Sequence, residues 1–242
     1  MPFGLRPRSF AAAAVAVLTA ALAAPQRASA GHVDLHFDST TGSGPVSGTY
    51  FGNGFNTTPG PYYFSPVGGP EAPDFATPTA TFCVELSQFI SVGSTYTFDV
   101  QPVANSGVGA LFLKLFGAHF DTAWNDPMFA GSTASAAFQI AAWELAYDGP
   151  SPLNVAADNF KVDDPMSPAA VLAQSWLDGL AGLPSNTFAL AFPGKELVLL
   201  RSDSAQDLMA IVQGNPVPAP PAAVLGLIGA GLLRLRLRRS GR

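Results

Sequence analysis

The 242 residues carry 12 Lys and Arg against 17 Asp and Glu, a net charge of −5, with 48% hydrophobic and 12% charged side chains. That length holds one medium domain plus appendages. The single cysteine excludes an internal disulfide framework.

Residues 1–30 read as a secretory signal peptide. Arg6 and Arg8 make the basic start, Phe10 to Ala24 the apolar run, and Ala28-Ser29-Ala30 a small-x-small site, with cleavage expected between Ala30 and Gly31. The apolar run is too short for a comfortable membrane span. All 17 acidic residues lie between Asp34 and Asp207, and only Lys114, Lys161, Lys195 and Arg201 of the basic ones lie there, a net −13 for the expected mature domain. Such a surface repels nucleic acid and anionic headgroups and favours encounter with amine-bearing partners. A lone cysteine in an exported chain is a reactive thiol, an intermolecular bridge or an inert buried residue.

Residues 31–78 are rich in Gly, Pro, Ser and Thr, with short aromatic pieces at Val33 to Phe37 and Thr49-Tyr50-Phe51. They read as short strands joined by turns. Thr79 to Ile90, which contains Cys83, and Ser94 to Pro102 read as two further strands around a turn at Val92-Gly93. From Gly107 to Ala123 the period changes: Leu111, Leu115 and Ala118 with Phe112, Phe116 and Phe120 give a helical apolar face. Ser135 to Leu145 reads as a second helix, with Ser132, Thr133 or Ser135 as caps and Asp148-Gly149-Pro150 as its stop. Gln139 and Trp143, four apart, share a face of it. Gln139 is thus a primary amide in apolar company, which must find partners or cost free energy. Pro168 to Gly182 reads as a third helix, and Asn186 to Phe192 and Lys195 to Arg201 as strands about a Pro193-Gly194 hairpin turn. Asp203 to Gln213 reads as a last short helix or a lead into the linker. Strands, then helices, then strands predict an α+β fold.

The two central pieces carry a resemblance. Phe82-Cys83-Val84 followed by Phe138-Gln139-Ile140-Ala141-Ala142-Trp143 is similar to the paired motifs of bacterial thioester domains, with Phe138 where that family often has Thr. The resemblance implies an antiparallel β-sandwich or barrel with an inserted helical subdomain over residues 31–202. It also implies an internal thioester between Cys83 and Gln139, with Phe82, Phe138 and Trp143 as a dry supporting shell. A thioester is a stored electrophile that a lysine amine on a surface protein or matrix polymer can displace once, so no enzyme turnover and no cofactor are expected. Glu85 and Glu144 adjoin the reacting pair in sequence as acid or base candidates, although as strand and helix carboxylates they are expected to be solvated. Ser87-Gln88 offers a second amide without the Ala-x-Trp continuation. His32, His36 and His119 are too scattered to read as a zinc set, and a Cys-His dyad would have only His119 to use. No phosphate-binding glycine loop is present.

The end of the chain has a different character. Residues 203–221 read as a linker, stiff where Pro216-Val217-Pro218-Ala219-Pro220-Pro221 is extended. Residues 222–242 are an apolar run followed by Arg234, Arg236, Arg238, Arg239 and Arg242. This order resembles the PEP-CTERM sorting signal, with Val217, Pro218, Ala219 and Pro220 at the motif and Ala219 where that signal usually carries Glu. The resemblance implies processing by an exosortase in a Gram-negative bacterium, transient passage through the inner membrane, and a cell-surface or extracellular destination. The alternatives are a plain C-terminal anchor and a structural, biofilm-type surface protein in which Cys83 and Gln139 are ordinary core residues.

Overall fold

A computed structural model describes residues 31–150 and 152–214. The expected signal peptide with Ala30, and the sorting segment with Val217, Pro218, Ala219 and Pro220, lie outside the described residues. Within them the chain is α+β, as its pattern predicts.

The first strands are β1 (Gly31–Thr40), β2 (Val46–Tyr50), β3 (Asn53–Thr57), β4 (Tyr62–Gly68), β5 (Thr79–Cys83) and β6 (Thr95–Pro102). The helices α1 (Gly107–His119) and α2 (Thr133–Asp148) follow, then a short strand β7 (Phe160–Val162), then α3 (Pro168–Gly179) and α4 (Thr187–Ala191). The chain returns through β8 (Lys195–Arg201) and β9 (Leu208–Gln213). Six strands close an antiparallel barrel in the order β1-β4-β5-β9-β8-β6, and β3-β2-β7 form a separate sheet. All four helices are inserted between barrel strands β6 and β8.

The sequence pattern explains the barrel wall. In β1, Val33, Leu35 and Phe37 are buried while His32, Asp34, His36 and Asp38 turn outward to varying degrees, the two-residue alternation of a strand with one wet face. By contrast, all five residues of β5 are buried, because α2 packs against this strand from outside the barrel. Phe82 of β5 meets Phe138 of α2 at a ring-centroid distance of 4.6 Å, with Phe116, Phe120 and Trp124 around them. Burying rings of this kind is worth about 1.5–3 kcal/mol each, so this aromatic layer fastens the helices to the barrel.

α2 is buried from Ser135 to Leu145 without a break, as expected for a helix that is apolar all round. Ser132 and Ser135 form a reciprocal capping box at its start, and the Gly149 N–H donates to the Leu145 carbonyl at its end. These are the start and stop that the sequence signals.

Three expectations are overturned. The strand expected from Thr79 to Ile90 ends at Cys83. The stretch 186–192 holds helix α4 (Thr187–Ala191), capped by Asn186 and Phe192, and not a strand. The alternation of Phe188, Leu190 and Phe192 imitates a strand, but Phe188 and Phe192 are also a helical i, i+4 pair, with ring centroids 5.3 Å apart. α4 packs on α1 where Gly117 lacks a side chain. Pro193-Gly194 therefore joins a helix to β8 and closes no hairpin. Residues 208–213, placed in the linker by sequence, are β9, which fills the gap between β5 and β8. Leu208, Met209, Ala210 and Val212 are buried together, and a strand apolar on both faces shows no alternation to read. The domain therefore runs through Gln213, beyond the boundary expected at residue 202.

A Cβ added at Gly117 would stand 2.5 Å from the Phe188 backbone nitrogen, whereas one at Gly179 would meet nothing within 4 Å. Gly117→Ala should therefore destabilise by about 1–3 kcal/mol, although alanine is the better helix former by about 1 kcal/mol. Gly179→Ala should be neutral or stabilising, and urea unfolding of both variants checks the pair.

Candidate functional site: the Cys83–Gln139 junction

Cys83 is the last residue of β5, paired with Leu208 of β9. The next N–H, of Val84, donates to the Asp207 carbonyl at 2.9 Å. Hydrogen-bonded and non-hydrogen-bonded pairs alternate along an antiparallel ladder, so the N–H and C=O of Cys83 point away from β9. On that other side β4 stops pairing at Tyr62–Thr81. Two buried peptide groups are left without a strand.

Gln139 takes the strand's place. Its Oε1 accepts the Cys83 N–H at 3.0 Å and its Nε2 donates to the Cys83 carbonyl at 2.6 Å. The side-chain amide thus mimics one peptide unit of a neighbouring strand, with Cys83 0% and Gln139 1% exposed. Sequence brought these two residues forward as a pair, and the fold brings them into contact across 56 positions.

The same helical stripe continues toward the solvent. Trp143 and Tyr147 follow Gln139 at four-residue steps. The Tyr147 hydroxyl accepts the Leu86 N–H at 2.7 Å. The indole N–H of Trp143 favours the charged form of Cys83 and so pulls the thiol pKa down, without meeting an acceptor at hydrogen-bond geometry. The stripe therefore clasps residues 83–86. Tyr147 was missed by sequence reasoning, although its place two turns beyond Gln139 could have revealed it.

Burial pushes the Cys83 thiol up to about 12, against which Trp143 and the Glu85 backbone act weakly. The thiol donates to the Glu85 carbonyl. Tyr62 and Tyr147 feel the same sulfur, and their hydroxyls are raised too, first by burial. Tyr62 had no sequence signal at all, because only the β4–β5 register brings it here.

The remaining candidates separate from the sulfur. Consecutive strand residues face opposite ways, so Phe82, with Phe138, lies in the barrel–helix aromatic layer on the face away from Cys83. Of the expected dry shell, Trp143 reaches the thiol. The Glu85 carboxylate turns to the Ser87 hydroxyl and the Asp207 N–H. Gln88 lines the polar basin beyond it. His119 stacks on Trp176 at 4.6 Å, and no cluster of metal-ligating side chains occurs among the described residues.

Glu144 corrects the expectation of a solvated carboxylate, since it is 0% exposed. It lies on the side of α2 that faces residues 153–158. Its Oε1 accepts the Asn154 N–H at 2.6 Å and its Oε2 has no partner. Burial raises it to about 7, with Asp148 and Asp158 adding to the rise. Asp148, one turn on, accepts from the Asn159 side chain and from the N–H groups of Asn159 and Phe160. Together these carboxylates pin the segment that leads into β7.

Two depressions flank the junction. One, of about 370 Å³, lies between β3 and residues 86–92 and is lined by Phe37, Phe55, Tyr62, Leu86 and Phe89. The other, of about 660 Å³, is a polar basin holding Glu85, Asp99, Asp203 and Asp207. Glu85-Leu86 and Gln206-Asp207 make the wall between them, and the Gln206 Nε2 donates to the same Glu85 carbonyl as the thiol. Comparison of the chain with protein-family models, curated proteins and solved structures finds no match.

Two expectations follow. Gln139→Leu leaves two buried peptide groups of Cys83 unpaired, at about 1–3 kcal/mol each, so thermal or urea unfolding should show a loss of about 2–6 kcal/mol. For Glu144, the folded state keeps its proton up to about pH 7 whereas the free carboxyl loses it near 4.5. The folded state thus binds more protons across that window, and stability falls as pH rises through it. Glu144→Gln retains the acceptor for Asn154 and should remove this fall, so the variant's melting temperature overtakes that of the wild type toward pH 8.

Proposed function

We propose that Cys83 and Gln139 join in an internal thioester, and that the exported, surface-displayed protein uses it to capture an amine covalently. The carrying observation is the two-point contact of the Gln139 carboxamide with Cys83 in a site closed to water. The Cys83 N–H, donating to Oε1, polarises the carboxamide carbonyl and would hold the oxyanion formed when sulfur adds to its carbon. The S–H bond breaks, the S–C bond forms, and the thiol proton leaves with the amide nitrogen as ammonia. A thioester is less stable than an amide in water, so the fold must supply proximity and exclude hydrolysis. Burial that raises the thiol pKa also protects the finished bond.

In the capture step a primary amine adds to the same carbonyl carbon and the C–S bond breaks. The product is an amide at Gln139 and a free thiol at Cys83, one event per molecule. On this reading an amine-bearing surface protein or matrix polymer is the partner. An exosortase-type enzyme processes the C-terminal segment after transient passage through the inner membrane.

A second reading has its own support. Both amide hydrogen bonds go to the backbone of Cys83, and the thiol is satisfied by the Glu85 carbonyl. A Gln that only completes a strand end would look the same, and the protein would then be a structural surface or matrix component.

Intact mass of the purified protein, compared with its mapped termini, separates the two. The thioester gives a mass one ammonia below the calculated value, which rises by one methylamine on treatment and releases a thiol. An unmodified mass, with Cys83 alkylated only after unfolding, refutes the thioester. Gln139→Ala should restore the mass expected from sequence alone.

A further inference from the structure

We propose that the aromatic cleft beside the junction seats an extended, lysine-bearing peptide segment of a partner protein, added as a strand to the outer edge of β3. The covalent half of this proposal rests on the thioester reading; the docking half does not.

The cleft has the parts that strand addition needs. β3 is terminal in its sheet, and no strand pairs with its outer edge among the described residues. Gly54, Phe55, Asn56 and Thr57 of β3 form one bank of the cleft, so an incoming strand would find an unpaired backbone. The opposite bank is apolar and exposed without cover: Phe89 is 84% and Val92 59% accessible. Alternate side chains of an extended strand would lie against that bank while the others face solvent.

Charge selects the occupant. Four basic side chains among 17 acidic ones leave residues 31–214 strongly negative, and Glu85 and Asp207 line the neighbouring basin, just across the wall that Leu86 and Gln206 present to the cleft. A cationic strand is attracted there and an acidic one repelled. The wall stands directly over the thiol, since the Glu85 carbonyl takes its hydrogen bond and Tyr62 lines the cleft floor. A lysine in a docked strand would meet the junction at high effective concentration. Free amines of the same basicity would lack that advantage.

The test uses the intact protein and a fluorescent nine-residue peptide alternating threonine and valine around one lysine. The controls are the same peptide N-methylated at alternate backbone positions, in both phases, and methylamine. Anisotropy should show saturable binding, weakened at least about ten-fold by N-methylation in one phase and by Phe89→Ser, whose site is too exposed to matter to folding. Adduct formation followed by mass should run at least about ten-fold faster for the peptide than for methylamine at equal concentration, with the methylamine rate unchanged in Phe89→Ser. Saturable, N-methylation-sensitive binding without any mass deficit supports the docking while the thioester reading fails. Equal rates for peptide and methylamine, or binding indifferent to N-methylation, overturn the proposal. So does a concentration-dependent dimer abolished by Phe89→Ser in a protein that ignores the peptide, because the cleft would then belong to a second copy.

Discussion

The structure turns on one side-chain amide standing in for a missing strand. β5 runs two residues past the end of its pairing with β4, and the peptide groups of Cys83, left without a strand, would be costly in a dry interior. Gln139 covers both. For it to do so, α2 must lie across β5 at one rotation and one height. The capping box at Ser132 and Ser135 fixes where the helix begins, and the aromatic layer of Phe82 and Phe138 holds it against β5. Barrel closure, helix position and the junction are therefore one constraint seen at three scales.

Unbroken burial of α2 from Ser135 to Leu145 gives its hydrogen-bonding side chains specific jobs, because an unsatisfied polar atom there is expensive. Gln139 completes β5, Asp148 pins the turn into β7, and Glu144 holds Asn154. The first two satisfy their polar atoms fully. Glu144 leaves one oxygen unpartnered, and burial raises its pKa to about 7. The helix thus clasps the barrel end with one face and the β7 approach with another, and Phe160 of β7 stacks back on Tyr147. A disturbance on either face has a short path to the other.

What the sequence disclosed follows the same physics. Elements with one wet face, such as β1, and those with strong punctuation, such as α2, were legible because alternation and caps are local. The Cys83–Gln139 pair was legible through motif resemblance, and the alternation of strand faces then showed that Phe82 and the sulfur point apart. β9 and α4 were misread for opposite reasons. β9 is buried on both faces and carries no period; α4 carries a false one, overridden by its packing on Gly117. Tyr62 and Gln206 owe their places to strand register and loop closure, which no local pattern encodes.

The same enclosure that completes the fold sets the terms for any chemistry at Cys83. Water is excluded, so a thioester there would persist, and a thiolate is disfavoured for the same reason. A nucleophile arriving as a solvated ammonium would meet that barrier too, since it must shed its proton and its water before it can attack. The Glu85-Leu86 and Gln206-Asp207 wall is where the polar basin and the aromatic cleft come closest to the sulfur. Selectivity at such a site depends less on the reactive bond than on what can lie in the cleft long enough to lose its water. On the proposed docking, the burden of recognition would fall on β3 and Phe89, residues that would take no part in forming the bond itself.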